Sequence, residues 1–171
     1  MATPRVSIAP LVDITTRHFR YLLRLVSRRV VLHTPMLAAR KVAASSSPSI
    51  LRFHADEVDS GGLVAQIGGD SVSTVVRAAQ KCEAVGYSAI NLNLGCPAKS
   101  AQGGSFGATL MLPDKRRRLL RIVKALNEEV DIPVSCKVRI GVDEHDRYLL
   151  GACRTLGVVL TAVRFRLSRQ L

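Results

Sequence analysis

The chain has 171 residues, 47% hydrophobic and 22% charged, which is the composition of a globular protein able to bury a core as one domain or part of one. Its 25 Lys and Arg against 13 Asp and Glu give a formal charge of +12, and such an excess favours a polyanionic partner without separating nucleic acid from an acidic membrane. Residues 1–6 lack the apolar stretch of a signal peptide and no run approaches the roughly 20 apolar residues of a membrane span, so no membrane association is expected. The expected address is the cytoplasm; Arg5, Arg17 and Arg20 leave a mitochondrial leader open, and Asp13 opposes it.

Short β-like runs alternate with longer runs of helical period. Residues 6–10 form the first strand candidate, after which Thr15 or Thr16 can cap a helix in which Phe19, Leu22, Leu23 and Val26 recur at helical spacing. Residues 30–34 read as a second strand. Residues 43–60, with a Ser-Ser-Ser-Pro run, read as a solvated connection. Residues 63–68 are the third strand; Ser71 or Ser73 can cap a helix with Val72, Val75, Val76, Ala79 and Cys82 on one face, and Gly86 can end it. A fourth strand at 89–93 runs into a glycine-rich loop at 95–107. Pro113 can open a helix carrying Leu119, Leu120, Val123 and Leu126, followed by a strand at 134–140 and a weak helix at 148–156.

Strands alternating with crossover helices imply a parallel sheet, either open and doubly wound or closed as a barrel. The polar residues favour the barrel. Pro10 with Asp13, Met36, Gln66, Asn93 with Cys96, and Lys137 with Arg139 fall at or just after the C-terminal ends of successive strands, where a (β/α)8 barrel collects its active site. The expected class is α/β, of (β/α)8 TIM-barrel type with the first five or so βα units present. A whole barrel takes about 250 residues, so the expectation is a truncated one, with residues 1–150 its N-terminal portion and 151–171 a divergent basic tail.

The most specific segment is Asn91-Leu92-Asn93-Leu94-Gly95-Cys96-Pro97, an apolar strand ending in a turn that presents an amide and a thiol. Asn93 can donate and accept at once, as reading a planar ring requires. A buried cysteine beside a turn is the commoner fate of a lone Cys, but these surroundings favour a chemical role. Cys82, Cys136 and Cys153 sit in apolar periodic runs and read as small core residues. No CxxC pair or His at zinc spacing occurs, so neither a disulfide framework nor a metal site is expected.

This segment resembles the flavin-binding tRNA-dihydrouridine synthases, particularly the bacterial-type branch that modifies the D-loop. Further runs fit the same family in order: Ile8-Ala9-Pro10-Leu11-Val12-Asp13 with Arg17-His18-Phe19-Arg20-Tyr21, Ala65-Gln66-Ile67-Gly68-Gly69, Phe106-Gly107-Ala108 with Leu110-Met111, and Lys137-Val138-Arg139-Ile140-Gly141. The resemblance implies reduction of uridine to 5,6-dihydrouridine in tRNA. Reduced flavin mononucleotide (FMN) would give hydride to carbon 6, and Cys96 would give a proton to carbon 5. It implies NADPH or NADH as the reductant that recharges the flavin. Pro10, Leu11 and Val12 would lie along the flavin ring, Gln66 would bond its pyrimidine edge, and Lys137 would favour the anionic reduced flavin. Asn93 would contact the target uracil and Arg139 would help hold the flavin site or the RNA.

A base buried in folded RNA must be unstacked to reach such a pocket. Lys99 and Lys115 to Arg118 are candidate backbone contacts, with a solvated helix face the favoured alternative for the run at 115–118. His18 and His54 show no partner in the sequence. The chain departs from the family at Leu11, where Met is usual, and at Pro35, where Glu is usual. After residue 148 the family's flavin-contacting His and phosphate-binding turns do not follow. Two alternatives accompany the leading reading: a non-catalytic RNA- or partner-binding fragment, and a flavin oxidoreductase of free dihydropyrimidines. The sequence does not indicate an oligomeric state.

Overall fold

The computed structural model describes residues 6–46, 48–53, 55–57, 61–96, 106–139 and 149–157. His54, Pro97, Lys99, most of the glycine-rich loop, the Ile140-Gly141 pair, Tyr148 and residues 158–171 lie outside them.

The expected first strand narrows to one parallel bridge between Ser7 and Val31, with the Ile8 amide donating to the Val31 carbonyl at 2.9 Å. Helix α1 (Arg17–Val26) starts at Thr16, whose hydroxyl accepts from the Phe19 amide at 3.4 Å. Its buried face is not the one its apolar spacing predicts. Arg20 and Arg24 are the buried residues, whereas Leu22, Leu25 and Val26 are 56, 67 and 76% exposed.

The cause lies in the connection expected to be solvated. A 3-10 turn at Ala55–Glu57 carries Glu57 into the interior, where its Oε2 accepts from Arg20 Nε at 2.5 Å. Arg20 also donates to the Thr15 carbonyl at 2.7 Å, and Arg24 donates to the carbonyls of Val30 at 2.8 Å and Glu57 at 2.9 Å. Burial pulls the Arg24 guanidinium below its usual value, and the charge of Glu57 opposes that pull. Buried cations are tolerated where carboxylate and carbonyl acceptors replace water, so a polar seam holds α1 alongside Leu23, which packs half-buried against the core.

Strands β1 (Leu32–His33) and β2 (Leu37–Ala38) pair with the two ends of β3 (Leu63–Gly68), all parallel. Leu32 faces Leu63, but Leu37 faces Ile67. One more residue therefore lies between the pairs on the β1–β2 side than on β3, as in a bulge. Pro35, with no amide to donate, falls in this interruption. Thr34 restores the ladder locally: its amide donates to the Val64 carbonyl and its hydroxyl accepts from the Gln66 amide, both at 3.0 Å. The short helix α2 (Ala39–Ala44), absent from the sequence reading, follows β2.

Helix α3 (Val72–Ala84), strand β4 (Ala89–Leu94), helix α4 (Arg116–Glu129), strand β5 (Val134–Val138) and helix α5 (Leu149–Gly157) complete the order. A 3-10 turn at Pro113–Lys115 leads into α4. The sheet runs β1-β3-β4-β5, with β2 also on β3. Ala65, Ile67, Ile90, Leu92, Leu94, Cys136 and Val138 share one face by register and join the core with Val75, Ala79, Cys82, Leu119, Ile122 and Leu126 from α3 and α4. Burial pushes the Cys82 and Cys136 thiols up to about 12. Helix α5 packs on α4, with its Ala152 and Leu156 buried. The result is an α/β half-barrel of parallel strands with an apolar outer face and a polar inner one. Among the described residues no helix is long and apolar enough to cross a membrane.

Candidate functional site

Alternation along β3, β4 and β5 places Gln66, Asn91, Asn93, Ser135 and Lys137 on the inner face. The register sets Gln66 beside Asn91, Asn91 beside Ser135, and Asn93 beside Lys137. Gln66 is 2% exposed; its Nε2 donates to Asn91 Oδ1 at 2.7 Å and its Oε1 accepts from Asn93 Nδ2 at 3.0 Å. Asn91 Nδ2 donates to Ser135 Oγ at 3.0 Å.

Cys96 lies two residues beyond β4. Asn93 Oδ1 accepts from the amides of both Gly95 and Cys96 at 3.0 Å, so the turn is closed by the side chain of Asn93. The other side of the turn is closed by the returning segment. The Ala108 amide donates to the Cys96 carbonyl at 2.9 Å, and Gly107 has φ +69°, a region that favours glycine. A side chain at 107 would also stand 2.6 Å from the Cys96 carbonyl oxygen. The Phe106-Gly107-Ala108 motif thus shapes the seat of Cys96, which is half-buried and in no disulfide.

Lys137 extends beside this turn: a methyl built on Gly95 would lie 3.6 Å from its Nζ. Met36 and Phe106 converge over Gly68, where an added Cβ would meet Met36 Sδ at 2.7 Å and the Phe106 ring at 3.1 Å. Glycine at 68 therefore lets the two side chains approach across the end of β3.

Pro10, Leu11 and Val12 follow the Ser7–Val31 bridge, toward the same C-terminal end of the sheet. Thr15 holds them from below: its hydroxyl donates to the Leu11 carbonyl at 2.9 Å and accepts from the Leu11 amide at 3.1 Å. Asp13 takes a φ of 63°, which Asp tolerates better than most residues. This turn leaves the side chains of Leu11 and Val12 exposed.

The structure brings Gln66, Asn93, Cys96 and Lys137 together, with Arg139 one alternation beyond Lys137, half-buried just past β5. Thr15, Asn91 and Ser135 were missed in the sequence, although Asn91 and Ser135 carry a period-two signal with Asn93 and Lys137. The basic run at 115–118 is partly engaged internally. Lys115 pairs with Asp114 at 3.3 Å, Arg118 with Asp70 at 3.7 Å, and Arg116 Nε donates to the Met111 carbonyl at 3.4 Å. Arg117 is exposed. Among the described residues no group of three or more His, Cys, Asp or Glu could hold a metal.

The site combines a thiol on a rigid turn, an ordered row of carboxamides and one ammonium group. These can hydrogen-bond a planar heterocycle, favour negative charge on it and transfer a proton.

Residues 7–158 match the family model described as Dihydrouridine synthase (Dus). A tRNA-dihydrouridine(20/20a) synthase of Synechocystis sp. is 39% identical over 144 residues, covering 84% of this chain and 41% of that protein. Proteins with the same name from Escherichia coli O6:H1 and Vibrio parahaemolyticus are 40% and 36% identical over 144 residues, each alignment covering 84% of this chain and 42% of theirs. The chain spans about two fifths of the length of the curated relatives it matches.

Proposed function

This chain belongs to the dihydrouridine synthase family, and we propose that it carries the proton-donating and ring-binding part of an FMN-dependent enzyme that reduces uridine to 5,6-dihydrouridine in tRNA. The observation that carries the reading is the meeting of Cys96, Asn93, Gln66 and Lys137 at one end of the parallel sheet.

The residues present fit a flavin ring. Leu11 and Val12 offer exposed apolar surface, with half-buried Pro10 before them, beside a turn held by Thr15. Gln66 supplies a donor and an acceptor to a pyrimidine edge, and Lys137 supplies a positive charge. When bound, the reduced flavin supplies hydride for carbon 6 of the uracil; NADPH or NADH would recharge it. Cys96 gives its proton to carbon 5, and the resulting thiolate regains a proton from solvent. Asn93 contacts the uracil through the amide hydrogen that Gln66 does not take, while its oxygen holds the Cys96 turn. Lys137 stabilises negative charge on the ring it faces. Arg139 holds the flavin site or the RNA, and the +12 charge attracts the tRNA backbone. The cytoplasm is the proposed compartment.

The test is FMN titration, followed by dihydrouridine formation in tRNA, on this chain and on a version extended to the length of its relatives. Cys96→Ala should retain flavin binding and lose at least ~100-fold in product formation, within the range for a general acid. A Cys96→Ala protein with undiminished activity, or failure of both chains to bind flavin, would overturn the reading.

A further inference from the structure

Four side chains on the inner face form a hydrogen-bonded row whose direction is fixed by the backbone at both ends. At one end Asn93 accepts from the Gly95 and Cys96 amides. A backbone N–H only donates, so the accepting atom is oxygen and the NH2 group of Asn93 must face away from the turn. That group donates to Gln66 Oε1, so Gln66 points Nε2 to Asn91 Oδ1, and Asn91 points Nδ2 to Ser135 Oγ. Ser135 then donates its own proton to the Ile90 carbonyl at 3.2 Å, an atom that only accepts. Turning any one carboxamide over would set oxygen against oxygen or NH2 against NH2. Gln66 and Asn91 are buried, where such a mismatch cannot be repaired by water.

We propose that Asn91 and Ser135 are positioning residues: they orient the Gln66 amide presented to the flavin and, through Asn93, fix the turn that aims Cys96. The proposal rests on the roles given above to Gln66 and Cys96. Each carboxamide has two donor hydrogens and two acceptor sites. Gln66 therefore keeps one Nε2 hydrogen and one acceptor position for a ligand, in an order it cannot reverse. This suits a ring edge with a carbonyl next to an N–H, as in the pyrimidine part of a flavin. Asn91 holds the Gln66 amide directly from β4, whereas Ser135 acts through Asn91 and closes the row on β5.

The test reads Cys96 without flavin or RNA. Iodoacetamide labelling of each cysteine is followed by peptide mass spectrometry between about pH 6 and 9, where thiol labelling reports the thiolate. The half-buried Cys153 on α5 serves as internal reference. Ser135→Ala removes the acceptor for Asn91 Nδ2, and Ser135→Thr restores it. Ser135→Ala should change the Cys96-to-Cys153 rate ratio about fivefold, the population shift that one net hydrogen bond commands, and Ser135→Thr should return it to the wild-type profile. Asn91→Leu should move the ratio further the same way. Should Asn91→Leu unfold, labelling at the buried Cys82 and Cys136 will reveal it, and the Ser135 pair then decides. An unchanged ratio in Ser135→Ala, or no rescue by threonine, overturns the positioning role. The Cys96→Ala assay separately decides the chemical reading, so the two failures are distinguishable.

Discussion

Glu57→Ala tests the polar seam that holds helix α1. Glu57 and Arg20 have side chains 0% and 4% exposed and meet at 2.5 Å, so removing the carboxylate leaves the Arg20 guanidinium desolvated with the Thr15 carbonyl as a remaining acceptor. Breaking a buried pair from one side costs about 3–5 kcal/mol, a large share of the ~5–15 kcal/mol that holds an ordinary domain together. Glu57→Gln keeps an oxygen for Arg20 and should lose about 1.5–3 kcal/mol, the worth of a hydrogen bond to a charged group. With a urea slope of about 2 kcal/mol per molar, Glu57→Ala should lower the midpoint of unfolding, followed by circular dichroism, by about 2 M. Glu128→Ala is the control. Its partner Lys124 lies 3.8 Å away with both side chains exposed, and the change should stay within about 0.5 kcal/mol. A Glu57→Ala loss below about 1 kcal/mol would refute the idea that this pair helps to seat α1.

Gly107→Ala should cost about 1–3 kcal/mol through its positive φ alone, and the clash with the Cys96 carbonyl should also alter Cys96 labelling, measured as above. Thr15→Val removes both hydroxyl bonds to Leu11, leaving the backbone bond between the two residues, and should weaken FMN binding by about fivefold or more, read by fluorescence titration with Thr15→Ser as the restoring variant. Leu126→Ala, at a core position on α4, should destabilise by about 2–5 kcal/mol in urea titration. Stability should fall as pH rises from 9.0 toward 12. Cys82 and Cys136 are held protonated by burial, so the unfolded chain binds fewer protons in that window. Two such groups give a slope approaching about 2.7 kcal/mol per pH unit, and changing both to Ala should reduce the fall in urea midpoints across that range, leaving the part that Tyr87, also held protonated by burial, contributes above pH 10.0.

Elements carried by periodicity were legible before any coordinates. The strand at 63–68 agrees residue for residue, and α3, β4, α4 and β5 fall within two or three residues of their expected bounds. Each buries a continuous apolar run or stripe against its neighbours, so local pattern and tertiary environment agree. The meeting of Gln66, Asn93, Cys96 and Lys137 follows from the same logic, since parallel strands bring their C-terminal ends to one side. Short elements were harder. Strands β1 and β2 have two residues each, and the extra residue between them is visible only once their partner's register is known.

Chain order, the parallel sheet and the turn that carries Cys96 were thus written into the sequence, because alternation and helical period are local properties. The seating of α1 was not. Its leucines and valine suggest an apolar face, but Leu22, Leu25 and Val26 are exposed, Leu23 is half-buried, and what is fully buried is Arg20, paired with a glutamate 37 positions away. The direction of the Asn93-Gln66-Asn91-Ser135 row was equally closed to the sequence. A carboxamide offers donor and acceptor alike, and only neighbouring backbone groups, fixed when three strands come into register, decide which way each one points.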